Sequence, residues 1–217
     1  LLVQDLGIIR MAREYFPKLV LHASTQMGFH NSAGLEVAEK LGVTRVVLER
    51  QMTLEEIAAV RRSTKLELEV FVHGALCASL SGACLFSSYL GGYSGNRGKC
   101  KQPCRRRYFG KGGNGFFFSP QDLCTIELLP QLRELGIESL KIEGRLRSPD
   151  YVWKTVKAYR LLLDGPVDSP PELLLEAEKL LRSTATRRPS NGFYFANEYS
   201  SLIDAGRLGS FGVAAAK

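Results

Sequence analysis

Four short apolar runs recur at intervals of about 20 to 25 residues, each followed by a stretch of helical character, and this rhythm constrains the chain more than anything else in it. The runs are Leu2-Val3, Lys18 to Ala23 (KLVLHA), Arg45 to Leu48 (RVVL) and Leu66 to Val72 (LELEVFV). A fifth, Ser139 to Ile142 (SLKI), comes later. The stretches between them have helix signals. Ile8 to Phe16 has helical spacing and is stopped by Pro17. Asn31 or Ser32 can cap a helix carrying Leu35, Ala38 and Leu41, and Gly42 ends it. Thr53 begins TLEE, a capping-box pattern with Glu56 three residues on. Leu123 to Leu135 reads as helix, and Pro149 to Asp164 as a long amphipathic one.

Alternating strand and helix is the signature of parallel βα units. With about five strands visible, the expected fold is α/β: the C-terminal portion of a (β/α) TIM-like barrel with a cysteine-rich loop. The chain opens at Leu1 without a methionine, and the reading is that a missing N-terminal half, or a partner, completes the barrel. The partial barrel is placed at residues 1–165, with the cysteine-rich loop at 74–124. Residues 166–217 are read as a linker and the start of a small C-terminal appendage. In such barrels the chemistry sits where strands end. Here those ends offer His22, Gln26, Arg50, His73, Lys141, Glu143 and Arg145.

All five cysteines, Cys77, Cys84, Cys100, Cys104 and Cys124, lie in the segment bounded by the first and last of them. A chain of 217 residues that is 45% hydrophobic has enough core not to need a disulfide framework, and an odd number of thiols argues against one. Metal or cluster binding is the better reading. Only Cys100 and Cys104 have the close spacing of a structural zinc half-site. Iron–sulfur clusters tolerate more varied spacings, so a cluster, a zinc ion and free thiols all stay open at this point. The net charge of +7 is concentrated in the same place. From Val70 to Gln121 there is no Asp or Glu, but there are Arg97, Lys99, Lys101, Arg105, Arg106, Arg107 and Lys111. Such a field suits an anionic partner: a nucleic acid, a small carboxylate or an anionic cofactor. Glycines that let backbone N–H groups come close, beside cations, suit the wrapping of a negatively charged cluster.

EVFVHGALC (69–77), SGACLFSSYLGG (81–92), NRGKCKQPCR (96–105), SPQDLC (119–124) and LKIEGRLRSPDYV (140–152), with HASTQMGFHNSAG (22–34), resemble the collagenase-like peptidase family, peptidase family U32. That resemblance implies a barrel with a 4Fe-4S cluster on Cys77, Cys84, Cys100 and Cys104, with Cys124 as the reserve ligand. It also brings in RNA hydroxylation enzymes that use prephenate as oxygen source, and proteins of oxygen-independent ubiquinone hydroxylation. Gln51 stands where many relatives have Glu, and Arg106-Arg107 where an aromatic or apolar pair is more usual.

The function expected is therefore an iron–sulfur, RNA-modifying hydroxylase acting on rRNA or tRNA in the cytoplasm. His22, Gln26, His73 and Glu143 are its candidate catalytic residues. Arg50, Arg97, Arg105, Lys141 and Arg145 are its candidate binders of RNA or of a small carboxylate donor, since arginine holds carboxylates bidentately. The alternatives are a peptidase, or a non-catalytic cluster-binding partner. A metallopeptidase signature H-E-x-x-H is not in the sequence, and GYSGN breaks the G-x-S-x-G pattern after Ser94. A cysteine peptidase would pair Cys77 with His73. No apolar run reaches the roughly 18 residues of a membrane span.

Overall fold

The computed structural model describes residues 1–111, 113–166, 169–195 and 199–203. Strand and helix alternate from the start: β1 (Leu2–Val3), α1 (Leu6–Tyr15), β2 (His22–Ala23), α2 (Ser32–Lys40), β3 (Arg45–Val47), α3 (Leu54–Ser63) and β4 (Glu67–Ala75). Each helix begins where a side chain accepts from an otherwise unbonded backbone N–H. Asp5 accepts from Ile8 N at 2.9 Å and Asn31 from Gly34 N at 2.8 Å. Thr53 and Glu56 close the capping box that TLEE predicts. Gly42, at φ +72°, supplies the left-handed residue after α2.

Beyond β4 the order continues with α4 (Phe86–Tyr89), β5 (Tyr108–Gly110), β6 (Gly113–Gly115), β7 (Asp122–Cys124), α5 (Leu129–Glu134), β8 (Ser139–Ile142), α6 (Pro149–Leu163), α7 (Pro171–Arg182) and β9 (Pro189–Ser190). The predicted helix from Leu123 is corrected here: its first two residues belong to β7, and α5 starts at Leu129. The cause is non-local. β7 pairs antiparallel with the end of β4, His73 against Cys124 and Ala75 against Asp122.

β1, β2, β3, β4 and β8 are parallel neighbours, in that order. The connections α1, α2 and α3 between the sequential parallel strands pack on one face of the sheet. That face carries Val3, Ala23, Val46, Leu68, Val70 and Val72, which merge with Ile9, Leu35, Ile57 and Val60 of the helices into one buried cluster. The sheet is mixed α/β, of seven strands among the described residues, and it is open: β1 lies at one end and β9, parallel to β7, at the other. Residues after the Pro166 region join the same core. Ala177 and Leu181 of α7 are buried in it, and the Tyr194 hydroxyl donates to Phe71 O at 2.7 Å. Residues 204–217 of the expected appendage lie outside the described residues.

Candidate functional site

On the sheet face away from the helices the side chains are polar. Arg45 meets Glu67 at 2.7 Å, and Glu69 receives Lys141 Nζ at 2.8 Å and Ser139 Oγ at 2.9 Å. Burial pushes the Glu69 carboxyl up, but the hydrogen bonds from Lys141 and Ser139 and the charges of Lys141 and Arg45 outweigh it and hold it below its ordinary value. One step further along, Phe71 lies under two cations: the Arg50 guanidinium at 4.1 Å and Lys141 Nζ at 5.6 Å. Arg50 reaches Glu143 Oε2 at 3.4 Å, while its own Nε is buried without a partner among the described residues. A buried donor of this kind has a cost that an acceptor from outside the chain can relieve. Glu143 also accepts from Arg145 N at 3.0 Å.

His73 follows on β4 and is buried. Its Nδ1 lies 3.4 Å from the Tyr159 hydroxyl, and the rings of Tyr159 and Tyr151 pack on it at 5.7 and 6.0 Å. Burial, assisted by Arg147, lowers its pKa to about 4. The imidazole is therefore neutral at pH 7. Because the folded pKa lies below the unfolded one of about 6.5, the folded state is favoured above pH 6.5 and loses this stabilisation as pH falls towards 4. The loss is roughly 3 kcal/mol. His73→Gln is expected to flatten this part of the stability-against-pH curve, measured by urea midpoints from pH 7 to pH 4.

His22 does not join this group. It pairs with Arg45, which pairs with Glu67, six positions before His73 on β4. At strand rise that is about 20 Å. β2 is only two residues long, so His22 marks the beginning of a short strand rather than its outlet. Burial and the charge of Arg45 hold its pKa below the ordinary value.

The cysteine loop leaves β4 at the other end. A residue with a side chain does not fit at Gly74, at φ +106°, because its Cβ would overlap the Glu143 carbonyl. Further contacts fasten the loop to the strand ends. Ser81 donates from N to Glu49 Oε2 at 3.0 Å and from Oγ to Glu49 Oε1 at 3.2 Å, and Thr25 Oγ1 lies 3.1 Å from Ser81 Oγ. Gly82, at φ +80°, packs against the backbone of Gln26, where a Cβ would again overlap a carbonyl. Asn96 donates to Gly82 O at 2.8 Å, and Arg145 donates to Gly98 O. Arg105, chosen from the sequence as a carboxylate binder, is a clasp in the structure: it donates to Leu76 O at 2.6 Å, to Ser119 Oγ at 3.0 Å and to Pro120 O. Arg97 is exposed on the loop. Thr25 and Ser81 escaped sequence reasoning, whereas Glu49 is legible as an acid at the end of an apolar run, RVVLE.

A tight approach such as that of Gly82 makes a sharp expectation. Gly82→Ala is strained both by its φ and by the Gln26 carbonyl, so the loop must lift. The loop cysteines of the variant are expected to be alkylated faster than those of the wild type, while its stability in urea unfolding falls by no more than about 2 kcal/mol. Wild-type alkylation rates in Gly82→Ala would mean that the loop does not depend on this contact.

All five cysteines are unpaired and half-buried. Burial raises the Cys104 thiol to about 11, Arg105 beside it pulls the other way, and the charges of Cys77, Cys100 and Cys84 raise it further. Four sulfurs thus share one neighbourhood. Gln102, left-handed at φ 50°, donates its N–H to Cys100 Sγ at 3.3 Å. Cys124 lies on β7: its thiol is raised by burial, is hydrogen-bonded by Ile126 N–H and Tyr159, and has Glu127 and Glu178 in its field. Among the described residues no three His, Cys, Asp or Glu side chains already crowd round a point as ligands of a single metal ion.

The sequence profile of the family described as Peptidase family U32 matches residues 1–204. The chain belongs to this family. An uncharacterized protease of Methanocaldococcus jannaschii is 40% identical over 211 residues, covering 89% of this chain and 51% of that protein. The tRNA hydroxylation protein P1 of Bacillus subtilis is 34% identical over 209 residues, covering 89% and 50%. The 23S rRNA 5-hydroxycytidine C2501 synthase of Escherichia coli is 35% identical over 180 residues, covering 80% of this chain and 27% of that enzyme. The chain thus spans about half the length of the first two of these curated relatives. No helix among the described residues is long and apolar enough to cross a membrane.

Proposed function

We propose that this U32 chain is the cluster-bearing part of an RNA hydroxylase, in which Cys77, Cys84, Cys100 and Cys104 hold a 4Fe-4S cluster and further βα units complete a barrel at the open edge of β1. The observation that carries the reading is the shared electrostatic neighbourhood of those four thiols, in a segment without a carboxylate. The donor set fits the group: four thiolates, a backbone N–H already on one sulfur and an arginine alongside. It fits a four-iron cluster better than zinc. Ligands of one zinc ion must all come to about 2.3 Å of a single point, whereas a cubane spreads its thiolates over four corners. The cluster, when bound, would supply one-electron chemistry.

The chain's own residues do the rest. Arg50, with its unpartnered Nε, and Lys141 flank Phe71 and suit the carboxylates of a small donor such as prephenate. Glu143 holds both Arg50 and the backbone N–H of Arg145, whose guanidinium donates to Gly98 O, so donor site and cysteine loop are tied. His73, held neutral by burial and turned to Tyr159, can orient a substrate group by hydrogen bonding without bringing a charge into the site. RNA as the substrate is supported by the relatives named for tRNA and rRNA hydroxylation. The peptidase reading has less support, since His73 points its Nδ1 at a tyrosine.

The test is nucleoside analysis by mass spectrometry of tRNA and rRNA from a strain lacking the full-length protein. A hydroxylated nucleoside should disappear and return with the wild-type gene, but not with Arg50→Met. Retention of every hydroxylated nucleoside in the deletion strain would sink the reading.

A further inference from the structure

The outer side of the cysteine loop carries rings and cations that neither the thiols nor the Arg50 site uses. β5 and β6 form a small antiparallel hairpin, with Phe109 opposite Asn114. Neighbouring strand residues point to opposite sides. Tyr108 turns inward: its ring lies 5.4 Å from Phe118 and 6.2 Å from Phe86, and its hydroxyl donates to Pro103 O at 2.9 Å. Phe109 turns outward and is 77% exposed, with the Arg107 guanidinium 5.8 Å from its ring centre. The hairpin is thus anchored by one ring and displays the next. One residue before Arg107, Arg106 lines a shallow cleft together with Tyr93 and Lys101, and Lys101 Nζ lies 4.8 Å over the Tyr93 ring. Lys111 is exposed at the hairpin's turn. No acid from Val70 to Gln121 neutralises these cations.

We infer that this hairpin and the cleft beside it bind unpaired RNA, with Phe109 stacking on a base, Arg107 and Lys111 on the neighbouring phosphates, and Tyr93, Lys101 and Arg106 receiving the next nucleotide. Cations alone would serve any polyanion. The displayed rings narrow the choice, because a base face is free to stack only where the strand is unpaired. An acidic protein would satisfy the cations and leave Phe109 and Tyr93 in water. The inference rests on the RNA reading above and adds where the RNA lies and in what form it is taken.

Fluorescence anisotropy of the full-length protein with a labelled RNA stem-loop, and with a blunt duplex of the same stem, tests it across a salt series. The stem-loop should bind more tightly than the duplex. Phe109→Ala should weaken stem-loop binding by about tenfold or more and Phe109→Trp should restore it. Arg107→Ala should lower the slope of log affinity against log salt by about 0.7. Phe109 is exposed, so the variant leaves the core intact, which circular dichroism can check. If the stem-loop binds and Phe109→Ala leaves its affinity within about twofold, the hairpin is not the site and the RNA reading stands. Binding of neither RNA by the wild-type protein overturns both. Equal affinity for loop and duplex, or displacement of the loop by polyglutamate with the same dependence on Phe109, overturns the hairpin site in favour of a phosphate surface or an acidic protein.

Discussion

Cys104→Ser is expected to abolish the iron content of the anaerobically purified protein, for which the proposed cluster predicts about four irons per wild-type chain and a brown colour. Cys77→Ser, Cys84→Ser and Cys100→Ser should do the same, because a four-iron cluster that loses one of its thiolates is exposed to solvent at that corner. The effect is large for a physical reason. The four thiols share one neighbourhood, Cys104 among them is pushed up to about 11, and no carboxylate is available from Val70 to Gln121 to take over as ligand. Cys124→Ser is the control. Its thiol faces Tyr159, Glu127 and Glu178, so this variant should remain brown. A bleached Cys124→Ser beside a brown Cys104→Ser would transfer the fourth ligand to Cys124. One zinc and no iron in the wild type would replace the cluster by a structural ion. RNA hydroxylation should follow iron content through the series.

The difference between Cys104 and Cys124 also shows what the sequence could and could not reveal. That the cysteines cluster is visible in the chain. Where Cys124 lies depends on β7, a three-residue strand that pairs with His73 to Ala75. Locally, Leu123 to Leu135 has helical spacing. The pairing with β4 overrides it, as tertiary context does for short strands. Strongly local signals were readable: Asn31 caps α2, Thr53 and Glu56 form their box, and LELEVFV is β4. The polar strand ends were readable too, and Arg50, Lys141 and Glu143 do gather around Phe71 and β8. His22 was misplaced because its strand ends after two residues. Arg105 looked like a free cation, since a sequence does not show which carbonyls a fold leaves in need of a donor. Two of them turned out to be at Leu76 and Pro120, with the Ser119 hydroxyl as a further acceptor.

The largest expected loss of stability is at Asp122. This side chain is 13% exposed and collects Arg147 Nη2 at 3.2 Å, Arg187 Nη1 at 2.5 Å and Thr186 Oγ1 at 3.2 Å. The two arginines are 19% and 16% exposed. They come from opposite sides of α6 and α7 in the chain, so one carboxylate fastens the residues leading into β9 to β7. Asp122→Ala leaves two half-desolvated cations facing each other, with Arg105 in the same field. Removing one partner of such a buried arrangement costs about 3–5 kcal/mol. Asp122→Asn keeps the shape and one acceptor, and should cost less. The urea midpoint of Asp122→Ala should fall accordingly, and the amide of Asp122, which donates to Arg188 O at 3.1 Å, should lose hydrogen-exchange protection before the β3–β4 core does. The cost should also reach the thiols, because Arg105 clasps Leu76 next to Cys77 while feeling both Asp122 and Arg187. Lower iron occupancy in Asp122→Ala than in an equally destabilised core variant, such as Leu132→Ala, would show that path. A loss of under about 1 kcal/mol would mean that the arginines are solvated and the ion network is only a surface one.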